Sequence, residues 1–587
     1  MRKHWTFRAE PEGSALLDTS AIASKLGVSE LTVNLLRNRG VTAPSEMDVY
    51  LTPGLSHLCR PDAIPGLTKA AEVLAQGLKD GKSFAVWGDY DVDGVTSSTL
   101  VLDFMRQRGI EATCHIPNRM EEGYGLNSGH IDKLYEQGVR LLLTVDCGIT
   151  SHDPIQRAVE LGMEVVVSDH HLPSATLPPA EAICNPQLGE CPCQDLAGVG
   201  VAFFLMAAVN RLLPGQALDM RQFLDLVALG TLADVVKLQG INRILCKNGM
   251  LLIKEAKRPG IFALKTVAGH QGNAALGAGQ IVFGLAPRIN AAGRLGKAGD
   301  ALDLLLAPDR ETAWPLAQTL DSMNEERKRV EEETTDEAMR QAESQLGNPG
   351  LVLFDPSWHQ GVIGIVASRV VEKFYRPTLI LTQENGEIKG SGRSITEVNL
   401  YEALVQCSDV LKGFGGHKQA AGLQLAPDKL GALRSHFSEA VAEQIGDKPL
   451  APTLKLDAEL SFAHIDLALL KEIECMQPFG MGNPEPVFAS PAVTVVKASH
   501  FGQGHLMLQL RDEASGRTLR AKAWRMAETW GSGLEKQKIR VAFTPKINTF
   551  HGVDSIDLTV KDIQPEQLST WRPAVSRKPS AATGAAR

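Results

Sequence analysis

The stretch Ser83-Phe-Ala-Val-Trp-Gly-Asp89-Tyr-Asp91-Val-Asp93-Gly94 governs how the rest of the chain is read. A short apolar run, Ser83 to Trp87, breaks into an acidic loop that ends on a glycine. A helical pattern from Thr96 to Arg108 follows and stops at Gly109. Ala112 to Pro117 reads as another strand, Ser128 to Gln137 as a helix, and Leu141 to Val145 as an apolar strand. A helix from Asp153 to Leu161 stops at Gly162, and the strand Glu164 to Val167 comes next. Buried strands alternating with helices of this length predict an α/β fold with a doubly wound parallel sheet.

In such a sheet the loops after the strands' carboxyl ends form the binding crevice. Three of these loops carry the same chemistry. The first holds Asp89, Asp91 and Asp93, the second Asp146 in Val145-Asp146-Cys147-Gly148, and the third Asp169-His170-His171. An aspartate after one strand is usually a helix N-cap or a turn residue. Three acidic loops in sheet order are a different matter, because crowded carboxylates raise one another's pKa and need compensation. Divalent cations supply it, and a mixed Asp/His set suits Mn²⁺ or Mg²⁺ better than a softer ion. Two ions could share one carboxylate and hold a hydroxide between them. Asp234, inside the apolar stretch Ala228 to Val236, reads equally as a further ligand or as a capped helix residue.

Outward from this unit, residues 1–65 read as an N-terminal helical lead-in, with a helix from Ser29 to Arg39, and residues 66–310 as the catalytic domain. Residues 197 to 310 are mainly helical in pattern. A bridging helix is expected over 311–348, since Asp321 to Leu346 is highly charged and free of glycine and proline. A second α/β domain should occupy 349–447, starting at Gly350-Leu-Val-Leu-Phe354, and a proline-bearing linker runs from Lys448 to Pro452. Residues 453–565 alternate like antiparallel strands: Leu506, Leu508 and Leu510 share a face, as do Ile556, Leu558 and Val560. A small barrel of the OB-fold type is the expectation there. Residues 566–587 read as a disordered basic tail.

Composition narrows the classes. In 587 residues, 44% are hydrophobic and 22% charged, which excludes a mainly disordered chain or a fibre. A net charge of -8 argues against a DNA coat protein but leaves room for a local basic groove. No apolar region backs the charges of Met1 to Arg8, and the apolar stretch Ala197 to Val209 is too short to span a bilayer. Nine cysteines without an export signal point to reduced thiols and a cytoplasmic location. Cys184, Cys191 and Cys193 lack the paired spacing of a zinc site and read as loop and strand thiols.

Asp91-Val-Asp93-Gly94, Val145-Asp146, Asp169-His170-His171 and Ala233-Asp234 resemble the four signature motifs of the DHH phosphoesterase superfamily. Pro287-Arg-Ile-Asn-Ala-Ala-Gly-Arg294, Gly361 to Ala367, Ser391-Gly-Arg-Ser394 and Gly413 to Gly422 are similar to segments of its RecJ family. That resemblance runs from about residue 50 to 565. It implies a 5′→3′ exonuclease on single-stranded DNA that releases 5′-mononucleotides in recombination and repair. It implies two divalent ions, Mn²⁺ or Mg²⁺, held by Asp91, Asp93, Asp146, His170 and Asp234, with Asp146 bridging. His171 would stand at the scissile phosphate, with Asp89 and Asp169 completing the catalytic set. Many smaller DHH enzymes carry a histidine where this chain has Trp87, and Asp89 would replace it. Arg288, Asn290, Arg294, Ser391, Arg393, Gly415, Gly416 and His417 would contact DNA phosphates. Single-strand-binding protein and a helicase would be partners.

Two rivals remain open at this stage. One is a DHH phosphodiesterase acting on dinucleotides or very short oligonucleotides, against which stand the barrel and the chain length. The other is an inactive single-strand-binding scaffold, against which stands the intact acidic set.

Overall fold

The computed structural model describes residues 3–9, 18–118, 125–295, 298–446, 450–531, 533–550 and 553–566. The basic tail expected over 566–587 lies outside them beyond residue 566, and so does part of the 448–452 linker. The chain divides into two compact units. Residues 53–450 with 478–483 make one, and residues 2–52, 451–477 and 484–587 make the other.

The first unit opens with a five-stranded, all-parallel sheet in the order Ala112–His115, Phe84–Gly88, Leu141–Val145, Glu164–Ser168, Ala182–Cys184. Counted along the chain this is 2-1-3-4-5, so the order reverses between Phe84–Gly88 and Leu141–Val145. Ligands bind at that switch point in open parallel sheets. The two strands beside it are wholly buried, as are the three valines of Glu164–Ser168, which is why they read as continuous apolar runs. The helix expected from Thr96 starts earlier, at Val92, and runs to Gln107, because the Asp91 carboxylate accepts from the Asp93 and Gly94 amides and caps it.

Helices Gly198–Leu212, Leu224–Ala233, Gly240–Glu255 and Pro259–Val267 follow. Ala278 to Leu295 is continuous helix with one π-type turn at Ile281–Leu285. The bridging helix is Arg310–Ser344, 35 residues long, with Pro315 inside it. Beyond it a mixed five-stranded sheet is ordered Gly413–Gly416, Ala420–Leu425, Glu387–Arg393, Thr378–Glu384, Leu351–Phe354. Only the last pair is parallel.

In the second unit, Lys538–Phe550 pairs with both Val493–Phe501 and Val553–Pro565. Together with His505–Asp512 and Arg517–Ala523 these strands close into a ring. Leu506, Leu508 and Leu510 all face its core, as their alternation predicts. The lead-in is more than helical: His4–Phe7 forms a strand that pairs in parallel with Thr453–Leu456. The Trp5 indole N–H donates to Asp562 at 2.8 Å. The Glu472 carboxylate accepts from the Ser29 amide and from the Ser29 and Thr32 hydroxyls. Arg39 and Asp457 form an ion pair at 3.1 Å with both side chains fully buried.

Candidate metal centre and phosphate cleft

All the acidic loops converge at the switch point. Asp89 and Asp91 follow the first strand, Asp146 the third, and Asp169-His170-His171 the fourth. Among the described residues, three sets of ligand atoms lie within 4.8 Å of one another: Asp89/Asp91/Asp146, Asp93/His170/Asp234, and Asp146/His170/His171. Asp146 belongs to two of them. Its backbone has φ +60°, which a non-glycine residue adopts only under constraint, and its amide donates to the Ser168 carbonyl at 3.0 Å.

Each side chain is held by a specific contact. The Asp93 carboxylate accepts from the amides of Gly198 (2.6 Å) and Val199 (2.8 Å), at the start of the apolar helix 198–212. Asp234 ends the helix Leu224–Ala233 and accepts from the Val235 amide through one oxygen, Oδ1. Asp169 accepts from the amides of His170, His171 and Ile149 and from His171 Nδ1 at 2.8 Å, so it orients the loop and is itself saturated. His170 Nε2 faces Asp146 at 3.1 Å, Asp234 at 3.7 Å and Asp93 at 3.8 Å.

The donor set fits divalent cations. Asp146 Oδ1 and Asp234 Oδ2 are buried yet accept no hydrogen bond. Burial, reinforced by neighbouring carboxylates, pushes Asp91 up and Asp93 and Asp146 well up from the usual carboxylate range. Burial pushes His170 down, keeping its ring neutral with a lone pair to offer. Bare, this cluster is unfavourable; cations between the oxygens remove the repulsion. His171 behaves in the opposite way. Burial alone would lower it, but the hydrogen bond and charge of Asp169 raise it to about 9. Trp87 supplies nothing to the site. Its indole is buried in the apolar core with its ring 4.4 Å from that of His115, and Asp89 stands with Asp91 and Asp146 instead.

A second feature adjoins the acidic loops. The helix ending at Leu295 rests on the first loop so closely that a Cβ on Gly293 would lie 2.7 Å from the Tyr90 carbonyl. The next residue, Arg294, donates to the Gly361 carbonyl at 2.8 Å. Arg294, Ser391, Arg393, Gly415 and Gly416 together line a cleft of about 530 Å³. Arg393 is braced by the Ser391 hydroxyl at 3.1 Å and the Gly392 carbonyl at 2.8 Å. Gly416 has φ +142°, and a Cβ there would strike Ala421, so only glycine fits.

Three expected phosphate contacts are placed differently. Arg288 is buried and spent on Asp321 (2.7 and 2.8 Å) and the carbonyls of Gly284 and Val267, so its guanidinium is a structural clamp. Asn290 is half-buried and His417 is exposed, and neither lines the cleft. The sequence reading missed Gln360 and Ser368, which do line it, and quoted the segment Gly361 to Ala367 between them without assigning Gly361 or Gly364 to the site. It also missed Asn185, whose side-chain amide donates to the His171 carbonyl at 2.9 Å. Gly198 and Val199 escaped notice because the start of an apolar helix looks like core.

Comparison with known proteins agrees with this architecture. Residues 83–231 match the family model described as "DHH family, N-terminal domain", 347–443 the DHHA1 domain, and 456–562 the RecJ OB domain. The chain is 37% identical over 554 residues to the single-stranded-DNA-specific exonuclease RecJ of Escherichia coli, covering 90% of this chain and 95% of that one. The chain belongs to the RecJ family. The crystal structure of RecJ in complex with Mn²⁺ from Thermus thermophilus superposes with a TM-score of 0.81 at 31% identity, covering 96% of this chain and 80% of that one. The Mg²⁺ complex from the same organism gives 0.75 at 30% identity, covering 96% and 79%. Among the described residues of this RecJ-family chain, no helix is long and apolar enough to cross a membrane.

Proposed function

We propose that this chain degrades single-stranded DNA from its 5′ end, releasing 5′-mononucleotides by two-metal phosphodiester hydrolysis. As a RecJ-family member it is a metal-dependent exonuclease specific for single strands. The observation that carries the finer reading is the three overlapping three-ligand sets at the switch point, next to a cleft lined by two arginines.

In this reading Asp89, Asp91 and Asp146 would hold one cation, and Asp93, His170 and Asp234 would hold the other. When bound, the ions supply positive charge to the attacked phosphate and acidify water. The protein supplies the rest. Asp169 fixes the His171 tautomer with the proton on Nδ1 when the ring is neutral, and the protonated ring aims its Nε2–H at a non-bridging phosphate oxygen. Arg393, Ser391 and Arg294 grip phosphates of the incoming strand. The barrel, matched as an OB domain, offers a surface for single strands. Work in recombination and repair in the cytoplasm, alongside single-strand-binding protein and a helicase, belongs to the same proposal.

The test is digestion of 5′- and 3′-labelled oligonucleotides, single-stranded and blunt duplex, with Mg²⁺, Mn²⁺ or EDTA. The 5′ label should leave first and only from single strands, and EDTA should stop it. Early release of the 3′ label, or efficient digestion of blunt duplex, would overturn polarity or strandedness. Cleavage confined to dinucleotides would move the assignment to the short-substrate phosphodiesterases.

A further inference from the structure

A buried ion triad outside the metal centre joins the two helices that carry its ligands Asp93 and Asp234. The first helix, Val92–Gln107, has Asp93 in its first turn, and the second, Leu224–Ala233, ends at Asp234. The Arg258 guanidinium donates to Asp103 of the first helix at 2.8 Å and to Asp225 of the second at 2.9 Å. Both carboxylates are buried, and the Arg258 side chain is 11% exposed.

The two helices run antiparallel. Asp93 and Asp234 share a ligand set at one end, and Arg258 joins Asp103 to Asp225 at the other. Between these points Gly230 packs so tightly that a Cβ there would lie 2.3 Å from Thr96 Oγ1 and 3.0 Å from Asp93 Oδ1. From triad to ligand each helix covers about 14–15 Å at roughly 1.5 Å per residue. The second helix, Leu224-Asp-Leu-Val-Ala-Leu-Gly-Thr-Leu-Ala233, has Asp225 as its sole charged residue. Apolar contacts are non-directional, so they bury this helix without fixing how far it slides or turns about its axis. The Arg258 fork is directional, and it bonds both helices at once. Arg258 is itself anchored. It stands at the N-cap position of Pro259–Val267, where a Cβ on Gly260 would lie 2.1 Å from the Leu304 carbonyl. Buried ion pairs contribute little stability over apolar replacements, and their best-attested use is to fix register.

We propose that Arg258 is a positioning residue of the metal centre: by tying Asp103 to Asp225 it sets the separation of Asp93 from Asp234. This role rests on the two-cation reading above, and its consequence is selective. The set Asp93/His170/Asp234 draws on both helices, whereas Asp89/Asp91/Asp146 takes nothing from Leu224–Ala233 or the residue that ends it. Slackening the triad therefore weakens one cation site and spares the other, which a general loosening of the domain would not do. Arg258→Lys keeps the charge but loses the planar fork that spans both carboxylates. Asp225→Asn removes the charge on the second helix and leaves the bond from Arg258 to Asp103 in place.

The experiment titrates Mn²⁺ into metal-free, full-length protein without DNA by isothermal calorimetry, after a melt has confirmed that each variant folds. Asp234→Asn marks which of two binding events belongs to the Asp93/His170/Asp234 set. That event should weaken about 10-fold or more in Arg258→Lys and in Asp225→Asn, with the other event within about threefold of wild type. Arg106→Ala removes an exposed partner of Asp103 that does not join the two helices, and it should bind both ions as wild type does. Should one triad variant fail to fold, the other decides. Two events unchanged in the triad variants would overturn the positioning role alone. So would equal weakening of both events, the mark of a merely structural triad. A wild type that takes up a single ion would overturn the two-cation reading, and this role with it.

Discussion

Gly198→Ala places one methyl group against the centre of the metal site. A Cβ built there lies 2.5 Å from Asp146 Oδ1, 2.7 Å from its Cβ and 2.8 Å from its Cγ. Ordinary contact, at about 3.4 Å or more, needs the carboxylate to retreat by roughly 0.9 Å. The helix cannot yield easily, because the Gly198 amide binds Asp93 at 2.6 Å. Nor can Asp146, whose backbone sits at φ +60° and is tied to Ser168. Displacing a reacting array by about 1 Å costs on the order of 10²-fold in rate, or about 2.7 kcal/mol of barrier. The fold should not suffer in proportion, since alanine at a helix start offsets part of any strain with up to ~1 kcal/mol of helix propensity over glycine. The assay is initial rate on 5′-labelled single-stranded DNA across a Mn²⁺ titration, with a thermal melt alongside. Gly299→Ala, whose Cβ meets nothing within 4 Å, is the control and should behave as wild type. A rate within threefold of wild type at ordinary Mn²⁺, in a protein that melts normally, would refute the placing of Asp146 as the shared ligand.

Other outcomes are expected. In metal-free protein the His171 ring should titrate near pH 9 by NMR, and in Asp169→Asn its titration should fall, because the hydrogen bond and charge that most oppose burial are then lost. A pKa raised on folding contributes stability that is complete below about pH 6.5 and lost as pH rises through about 9, so alkaline destabilisation should shrink in that variant; an unmoved titration would remove Asp169 as the cause. Arg393→Ala should raise KM for single strands about 10-fold or more with little change in Tm, from loss of a charge-assisted phosphate contact. Arg288→Ala should do the reverse, lowering Tm by breaking its pair with Asp321 and leaving KM near wild type; equal KM effects in the two variants would contradict the separation. Removing residues 1–52 together with 451–587 should flatten the salt dependence of binding to long strands while turnover of saturating short oligonucleotides persists, measured once a cooperative melt confirms folding.

The parallel sheet was legible because buried strands are continuous apolar runs and glycines end their helices. The metal-site loops were legible because the switch-point rule turns strand ends into a place. What escaped depended on partners far away in sequence. The strand His4–Phe7 is four residues long, and only its pairing with Thr453–Leu456 makes it a strand. Arg288 and Arg294 look alike in one motif, but six residues on an α-helix turn through about 240°, so one faces the cleft and the other the bridging helix. Gly198 acts through its backbone amide and Asn185 through a side-chain amide set on a backbone carbonyl, and neither residue type advertises such a contact.

The strand His4–Phe7 also bears on how the protein is made. It leaves the ribosome long before its pairing partner Thr453–Leu456, and Trp5 awaits Asp562. At about 5–20 residues per second, synthesis of the intervening chain takes on the order of 20–90 s. Throughout that interval residues 53–450 can complete their own contacts, while the amino terminus stays unpaired. The nuclease unit is thus assembled before the barrel unit can close, and a message truncated before codon 453 yields an amino-terminal strand with no edge to join.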